Sequence, residues 1–275
     1  MSDNSEFQLK RLPRFKPRGG VEVMLASIRA LFLRELQTRF GHYRLGYLWV
    51  FLEPALNVLF MLILFGAIVK RVLPGIEYPV FLINGILPFF FFRKSAMQAI
   101  GAIGANKGLL SYRNVKPIDI IFARVSLELL LYFICYVLLT GVLIWIGYTF
   151  SFSNVPFLIL CWFTLILLTF GISLLFMVVG SWSNDLNKLL MPLFFILYFI
   201  SGAIVPLHSI PERYLIYFLW NPLAHIFELM RHSVSPNYSV LSGVSYTYCF
   251  MIALTFLFIG LGMCRIFNKE MLKTK

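Results

Sequence analysis

His225 and Glu228 stand three residues apart, a spacing that puts them on one helix face, and a histidine beside a carboxylate is the minimum for general acid–base work on a bond held in a groove. The chain offers little to complete such a site. It has no Gly-x-Ser-x-Gly elbow, no metal-ligand cluster and no close carboxylate pair within an apolar run. The nearest string to a phosphate-binding loop, Gly104-Ala-Asn-Lys-Gly108, lacks the second Gly-Lys pair, so the chain is not expected to hydrolyse a nucleotide by itself. Cys135, Cys161, Cys249 and Cys264 fall within or at the ends of apolar runs, with no Cys-x-x-Cys pair and no histidine at zinc spacing. They read as small core hydrophobes.

The remaining candidates are charges and rings in apolar surroundings. Glu53, followed by Pro54, would pair with a cation such as Arg39, Arg44 or Arg93 and hinge its helix, or would sit hydrated at a membrane interface. Arg93 and Lys94 are costly in an apolar run unless they snorkel, or unless they face a cavity that attracts an anionic polymer or a lipid phosphate. Phe89 to Phe92, with Phe194, Phe195, Tyr198 and Phe199, form faces that would either line a path for sugar rings or pack against lipid and neighbouring helices. Trp49 and Tyr47 read as interfacial anchors. Tyr214, Tyr217 and Trp220, beside Pro211 and Pro222, suit a pore mouth or an aromatic belt equally.

The elements that carry these residues are set by composition. Of 275 residues 60% are apolar, 13% charged and 17% aromatic, with 29 phenylalanines and a mean hydropathy of +0.83. A water-soluble domain is about half apolar and one-quarter charged, so a compact soluble enzyme is excluded. Residues 1–20 are polar, basic and Pro-punctuated; no cleavable signal peptide follows, and the first span is expected to act as an uncleaved one. Val21, Leu25, Ile28, Phe32, Leu36 and Phe40 recur at helical spacing while Arg29, Arg34, Glu35 and Arg39 fall between them, which predicts an amphipathic helix over 21–42 lying in the membrane surface.

Within 46–268 the apolar runs predict an all-α polytopic membrane protein with six transmembrane helices, at about 48–69, 79–104, 120–146, 157–179, 189–205 and 246–266. The second is carried to Gly104 because the uninterrupted run to Phe92 rises only ~21 Å, short of a ~30 Å core. Residues 106–119 form a polar connection and 269–275 a tail. The segment 206–234 is apolar, but its Glu212, Arg213, Asn221-Pro222, His225, Glu228, Arg231 and His232 predict re-entrant outer helices rather than a seventh crossing.

Charge asymmetry supports that choice. Nine of the 24 Lys and Arg residues precede Leu48, six flank the second-to-third connection, one is Lys188 and four lie from Arg265 onward. Only Lys70, Arg71, Arg213 and Arg231 fall outside. Both termini are therefore expected in the cytoplasm, and the net charge of +12 reports topology rather than nucleic acid.

Several separated strings in order then resemble one family. Phe32 to Phe40, Tyr43 to Trp49 running into Leu52-Glu53-Pro54, Tyr112 to Asp119, Pro206 to Pro211 and Trp220 to His225 are similar to the inner-membrane permeases of ABC-2 type polysaccharide exporters, most closely those for capsular polysaccharide in Gram-negative bacteria. The resemblance covers the chain after its first twenty residues. It implies a homodimer in the bacterial inner membrane, driven by two ATP-binding cassette subunits that carry ATP and Mg2+, with no cofactor on this chain.

It further implies a lipid-linked polysaccharide substrate, a periplasmic adaptor and an outer-membrane channel. ATPase coupling would fall to the interface helix and the 106–119 loop through Arg34, Arg39, Tyr112, Arg113, Asn114 and Lys116. The substrate path would run past Trp49, Glu53, Phe89, Arg93, Lys94, Phe195, Tyr198 and Phe199. An outer gate would use His208, Tyr214, Tyr217, Trp220, Asn221 and Arg231. Export of O-antigen or teichoic-acid-like polymers on the same fold, an enzyme for lipid-linked sugars built on His225 and Glu228, and a secondary carrier stand as alternatives.

Overall fold

The computed structural model describes residues 19–40, 46–69, 73, 75–112, 115–182 and 186–273, and these are all-helical. The extension before Gly19 and the candidates Arg113 and Asn114 lie outside them, as do the side chains of Arg39 and Trp49. Twelve helices follow in order: α1 Gly20–Phe40, α2 Gly46–Val69, α3 Tyr78–Ile100, α4 Ala102–Ala105, α5 Lys107–Leu110, α6 Pro117–Ile146, α7 Val155–Trp182, α8 Leu186–Ile200, α9 Glu212–Phe218, α10 Pro222–Val234, α11 Tyr246–Ile266 and α12 Asn268–Lys273. Among the described residues α3, α6, α7 and α11 are long and apolar enough to cross a membrane, and shorter apolar helical stretches cover Leu52–Phe65 and Lys188–Ile200.

Helix α3 is the axis, in contact with α2, α6, α7, α8 and α10. Every residue from Tyr78 to Phe92 is buried, as a helix apolar on all sides requires. Its one polar residue there, Asn84, is satisfied: Nδ2 donates to Val80 O at 2.8 Å and Oδ1 accepts from Tyr136 Oη on α6 at 2.8 Å. Where hydrocarbon surrounds both partners, close approach of small residues drives helix packing. Accordingly α7 meets α11 at Gly171 and Gly260; a Cβ on Gly171 would lie 2.5 Å from Leu257 N, and one on Gly260 2.6 Å from Gly171 O.

Three helix ends differ from the sequence reading. The second span does not run to Gly104: α3 stops at Ile100, and Gly101 begins a pair of single turns. Asn106 ends the first of these, its side-chain Nδ2 bonding Ala102 O at 2.9 Å in competition with the backbone. The fifth span stops at Ile200 rather than 205, because Gly202 takes φ +69° and turns the chain. The third starts earlier, at Pro117, whose fixed φ suits the first helical position while Lys116 before it is extended.

Helix α1 lies along α6. Phe32 and Leu36 pack on Leu127 and Leu131, while Val21 and Leu25 at the start of the apolar stripe are exposed. At the opposite end of the bundle three turns are tied together. Thr149 N donates to Glu77 Oε2 at 2.9 Å, Ser151 N to Val234 O at 2.8 Å and Ser235 Oγ to Gly75 O at 2.7 Å.

Candidate functional site

Two polar clusters stand out in an otherwise apolar bundle. The first joins α1 to the end of α3 and to α6. Arg34 Nη1 donates to Asn106 Oδ1 at 2.7 Å, and Glu35 Oε1 lies 3.5 Å from Arg124 Nε. Arg124 Nη1 donates to Gln98 O at 2.7 Å, and Gln98 Nε2 to Glu128 Oε1 at 2.8 Å. Glu128 is fully buried, so these bonds are what makes its position tolerable.

Glu53 Oε2 pairs with Lys94 Nζ at 3.3 Å and, among the described residues, not with Arg93; the Arg39 side chain and Arg44, the other candidates, lie outside the described residues. The reason is register: α2 and α3 pack side by side, and Lys94 also reaches over the Tyr132 ring at 5.8 Å. Lys94 is thus held between α2 and α6. Tyr112 and Lys116 are exposed on the connection to α6, where the Lys116 backbone N–H donates to Asp119 Oδ2 at 3.0 Å.

The aromatic candidates divide. Phe89 stacks on Tyr198 at 4.7 Å with both rings buried, and Tyr198 Oη reaches Asn57 Oδ1 on α2 at 3.4 Å. Phe195 and Phe199, in edge contact at 5.2 Å, are exposed on α8. The stack therefore joins α3 to α8, and the exposed pair forms part of the outward face of α8.

The second cluster is centred on Arg231, which is fully buried. Nη1 donates to Glu228 Oε1 at 3.0 Å, Nη2 to Gly202 O at 2.7 Å and to Ala203 O at 3.3 Å, and Nε to Phe81 O at 3.4 Å. The guanidinium carbon lies over the Phe81 ring, 3.4 Å from its centroid. Tyr238 Oη donates to Glu228 Oε2 at 2.8 Å, and burial with the neighbouring carboxylate raises the tyrosine pKa. His208 Nδ1 is 3.4 Å from that hydroxyl.

A planar fork satisfies three elements at once here: α10, α3 and the turn after α8. Gly85 leaves the room, since a Cβ there would lie 2.3 Å from Ala203 O and 2.6 Å from Arg231 Nη2. Sequence reasoning missed Tyr238 and the two carbonyls. The Glu228–Arg231 spacing of three was the signal available.

Tyr214, Tyr217 and Trp220 are exposed, and Asn221 caps α10 by accepting from Leu223 N at 3.0 Å. His225 and Glu228 do not form a catalytic pair. The imidazole Nε2 is 2.7 Å from Leu219 O and Nδ1 accepts from Ser245 N at 3.0 Å, while Glu228 is spent on Arg231 and Tyr238.

Known proteins resemble this chain over most of its length. The ABC-2 type transporter family matches residues 26–235. Polysialic acid transport protein KpsM of Escherichia coli is 49% identical over 255 residues, 93% of this chain and 98% of KpsM. Capsule polysaccharide export inner-membrane protein BexB of Haemophilus influenzae is 31% identical over 88% of this chain and 91% of BexB. O-antigen export system permease protein RfbA of Klebsiella pneumoniae is more distant, at 25% over 86% of this chain and 88% of RfbA. The chain belongs to the ABC-2 type transporter family.

Proposed function

We propose that this chain is the membrane-embedded permease subunit of an ATP-driven exporter of lipid-linked capsular polysaccharide. The similarity to KpsM over nearly the full length of both chains carries the reading, and the greater distance of RfbA favours capsule over O-antigen. In this proposal the protein sits in the bacterial inner membrane as a homodimer with six crossings per protomer. Helix α2 and helix α8, with the apolar stretches Leu52–Phe65 and Lys188–Ile200, supply the two crossings beyond the four long helices. Both termini are cytoplasmic, as the cation distribution favours.

Two ATP-binding cassette subunits, carrying ATP and Mg2+, bear on α1 and on the 106–119 connection. Arg34, Arg39, Tyr112, Arg113, Asn114 and Lys116 are the proposed coupling residues. The bonds from Arg34 to Asn106 and from Glu35 to Arg124 support this role, because a load on α1 then reaches α3 and α6 directly. The proposed substrate path lies between the α2 and α8 faces of two protomers, past Trp49, Glu53, Lys94 and the exposed Phe195 and Phe199, with Phe89, Arg93 and Tyr198 behind them. His208, Tyr214, Tyr217, Trp220, Asn221 and Arg231 belong to or support the outer gate, from which a periplasmic adaptor and an outer-membrane channel continue export.

Affinity purification of the tagged chain from its native membrane, with identification of co-purifying proteins and an ATPase assay, tests the proposal. An ATP-binding subunit recovered at equal stoichiometry, with activity lost when residues 106–119 are scrambled, is expected. A stable chain with no ATPase partner, transporting alone in liposomes and inhibited by an uncoupler, would replace it with a secondary carrier.

A further inference from the structure

Helix α2 is tied to α3 by a charged contact that is open to the outside of the bundle. Glu53 Oε2 lies 3.3 Å from Lys94 Nζ, and the two side chains are 51% and 34% exposed, so a molecule lying along this wall reaches both. Lys94 also faces the Tyr132 ring of α6, 5.8 Å from its centroid, and Tyr132 is within electrostatic reach of Glu53 and Arg93 as well. Three charges, two of them positive, thus converge on one ring. Glu128, the fourth charge near that ring, already accepts from Gln98 Nε2 at 2.8 Å. Arg93 is half-buried, and among the described residues no carboxylate stands within ion-pair distance of it.

The two members of the pair differ in what each does without the other. An ammonium in apolar surroundings is costly unless an anion stands beside it. Lys94 is the more covered of the two and has the Tyr132 ring as a second partner, so it keeps its place. Glu53, half exposed, remains hydrated when it lets go. Exchange of Glu53 for another anion therefore leaves Lys94 paired throughout, which simple breakage does not. A phosphate suits the two cations, because its oxygens serve a guanidinium fork and an ammonium at once. Lys94 is six residues before the end of α3, about 9 Å along the axis of a helix ~34 Å long. Centred on a ~30 Å core, α3 puts it ~7 Å inside the headgroup boundary, within reach of a snorkelling side chain. A phosphate at that level is one carried by a lipid. Leu56 and Phe60, exposed on the face of α2 that carries Glu53, suit the acyl chains attached to it.

We propose that Arg93 and Lys94 bind a lipid phosphate, and that this phosphate takes Lys94 from Glu53 and so unfastens α2 from α3. That the unfastened wall is the export path rests on the function proposed above; the exchange itself does not.

The test uses the full chain, purified as it assembles, in nanodiscs of phosphatidylcholine, whose choline neutralises its own phosphate, with or without phosphatidylglycerol. Dicyclohexylcarbodiimide, which condenses a carboxylate with an adjacent amine, reads the pair directly. A Glu53–Lys94 amide is expected in phosphatidylcholine, and several-fold less of it once phosphatidylglycerol is present. Lipid kept through detergent stripping, weighed by native mass spectrometry, reads the site. Arg93→Gln with Lys94→Gln should lower retention of phosphatidylglycerol several-fold. Glu53→Gln, which removes the competing anion and keeps both cations, should raise it several-fold. Arg265→Gln, a loss of charge at an exposed cation of α11, should leave it unchanged. A pair that only braces the fold gives no gain in Glu53→Gln, so retention unchanged or lowered there overturns the exchange, as does an amide yield indifferent to phosphatidylglycerol. Equal retention by wild type and the double variant overturns the site. In chain taken directly from its native membrane, an adduct with the mass of a glycolipid supports the exported molecule as the source of the phosphate, and one with the mass of a phospholipid assigns it to the surrounding bilayer. None of these results bears on whether an ATP-binding subunit co-purifies, so the exchange and the exporter reading fail separately.

Discussion

Arg34 and Asn106 are joined across 72 residues of chain, Nη1 to Oδ1 at 2.7 Å, and Asn106 in turn grips Ala102 O at 2.9 Å. Helix α1 is therefore fastened to the first turn beyond α3. With Glu35 held by Arg124, and Arg124 by the Gln98 carbonyl, a displacement of α1 is carried into the ends of α3 and α6 by short polar contacts.

If the link transmits work, its two ends form one unit. Arg34→Ala and Asn106→Ala are each expected to lower export and ATPase stimulation several-fold, and the double variant no further, because residues acting through one contact are not additive. A change in stability of about 1 kcal/mol is the scale of such a bond when one partner is exposed. ATPase rates of the purified complex, with thermal melts in the same detergent, separate the two effects. Fully additive losses would deny the link.

Arg231 yields a sharper stability prediction. Removing one member of a fully buried ion pair leaves the other charge uncompensated, at about 3 to 5 kcal/mol, whereas replacing both by apolar or neutral isosteres is often tolerated. Arg231→Ala should therefore abolish or severely lower folded yield. Arg231→Lys should fail nearly as badly, since a single ammonium cannot serve Glu228 and the Gly202 and Ala203 carbonyls together. Arg231→Met with Glu228→Gln should recover much of the loss. Fluorescence-detected size-exclusion yields across a temperature series would read this out, and a double variant no better than Arg231→Ala would refute it.

The contrast between α11 and α3 shows what was legible in the sequence. Tyr246 to Ile266 is one apolar run entered through a Ser245 cap, Oγ accepting from Tyr248 N, and left through a basic Arg265, so composition and capping agree. Helix α3 has no such agreement: Arg93 and Lys94 interrupt its run, while the stop at Ile100 is made by Gly101. The same limit applies to the sites. Glu228 and Arg231 are visible as a local pair, but Gly202, Ala203, Phe81 and Tyr238 meet them only through the packing of four segments. A count of charges by topology places Arg231 outside, and only packing shows it to be fully buried.

Backbone contact between α7 and α11 predicts a strict size limit. Gly171→Val would force a side chain into Phe256 and Leu257 backbone at 2.5 to 2.6 Å and should cost about 1 to 3 kcal/mol or more through helix separation. Gly262→Ala, on α11 with nothing within 4 Å, should be neutral or raise stability by about 0.5 to 1 kcal/mol through reduced backbone freedom. Melting temperatures of the two variants beside wild type test the pair, and equal melting of all three would mean that α7 and α11 do not pack as described.

His225 predicts the sign of an acid effect in the α10 segment. Its pKa is lowered, first by burial, against the opposing pull of its bond to the Leu219 carbonyl and of Glu228. Nδ1 accepts from Ser245 N, so with one ring proton the imidazole donates from Nε2 to Leu219 O. A second proton would have to displace the Ser245 contact at the start of α11. The unfolded chain, with an ordinary histidine pKa near 6.5, binds that proton more readily than the folded one. The histidine's contribution is therefore fully present above about pH 6.5, declines as pH falls below it, and levels off once the folded pKa is passed. Melting temperature measured between pH 7.5 and 5.5 should fall more steeply in wild type than in His225→Gln, whose amide keeps a donor for Leu219 and an acceptor for Ser245 without titrating. Parallel curves would show that His225 is not the group responsible.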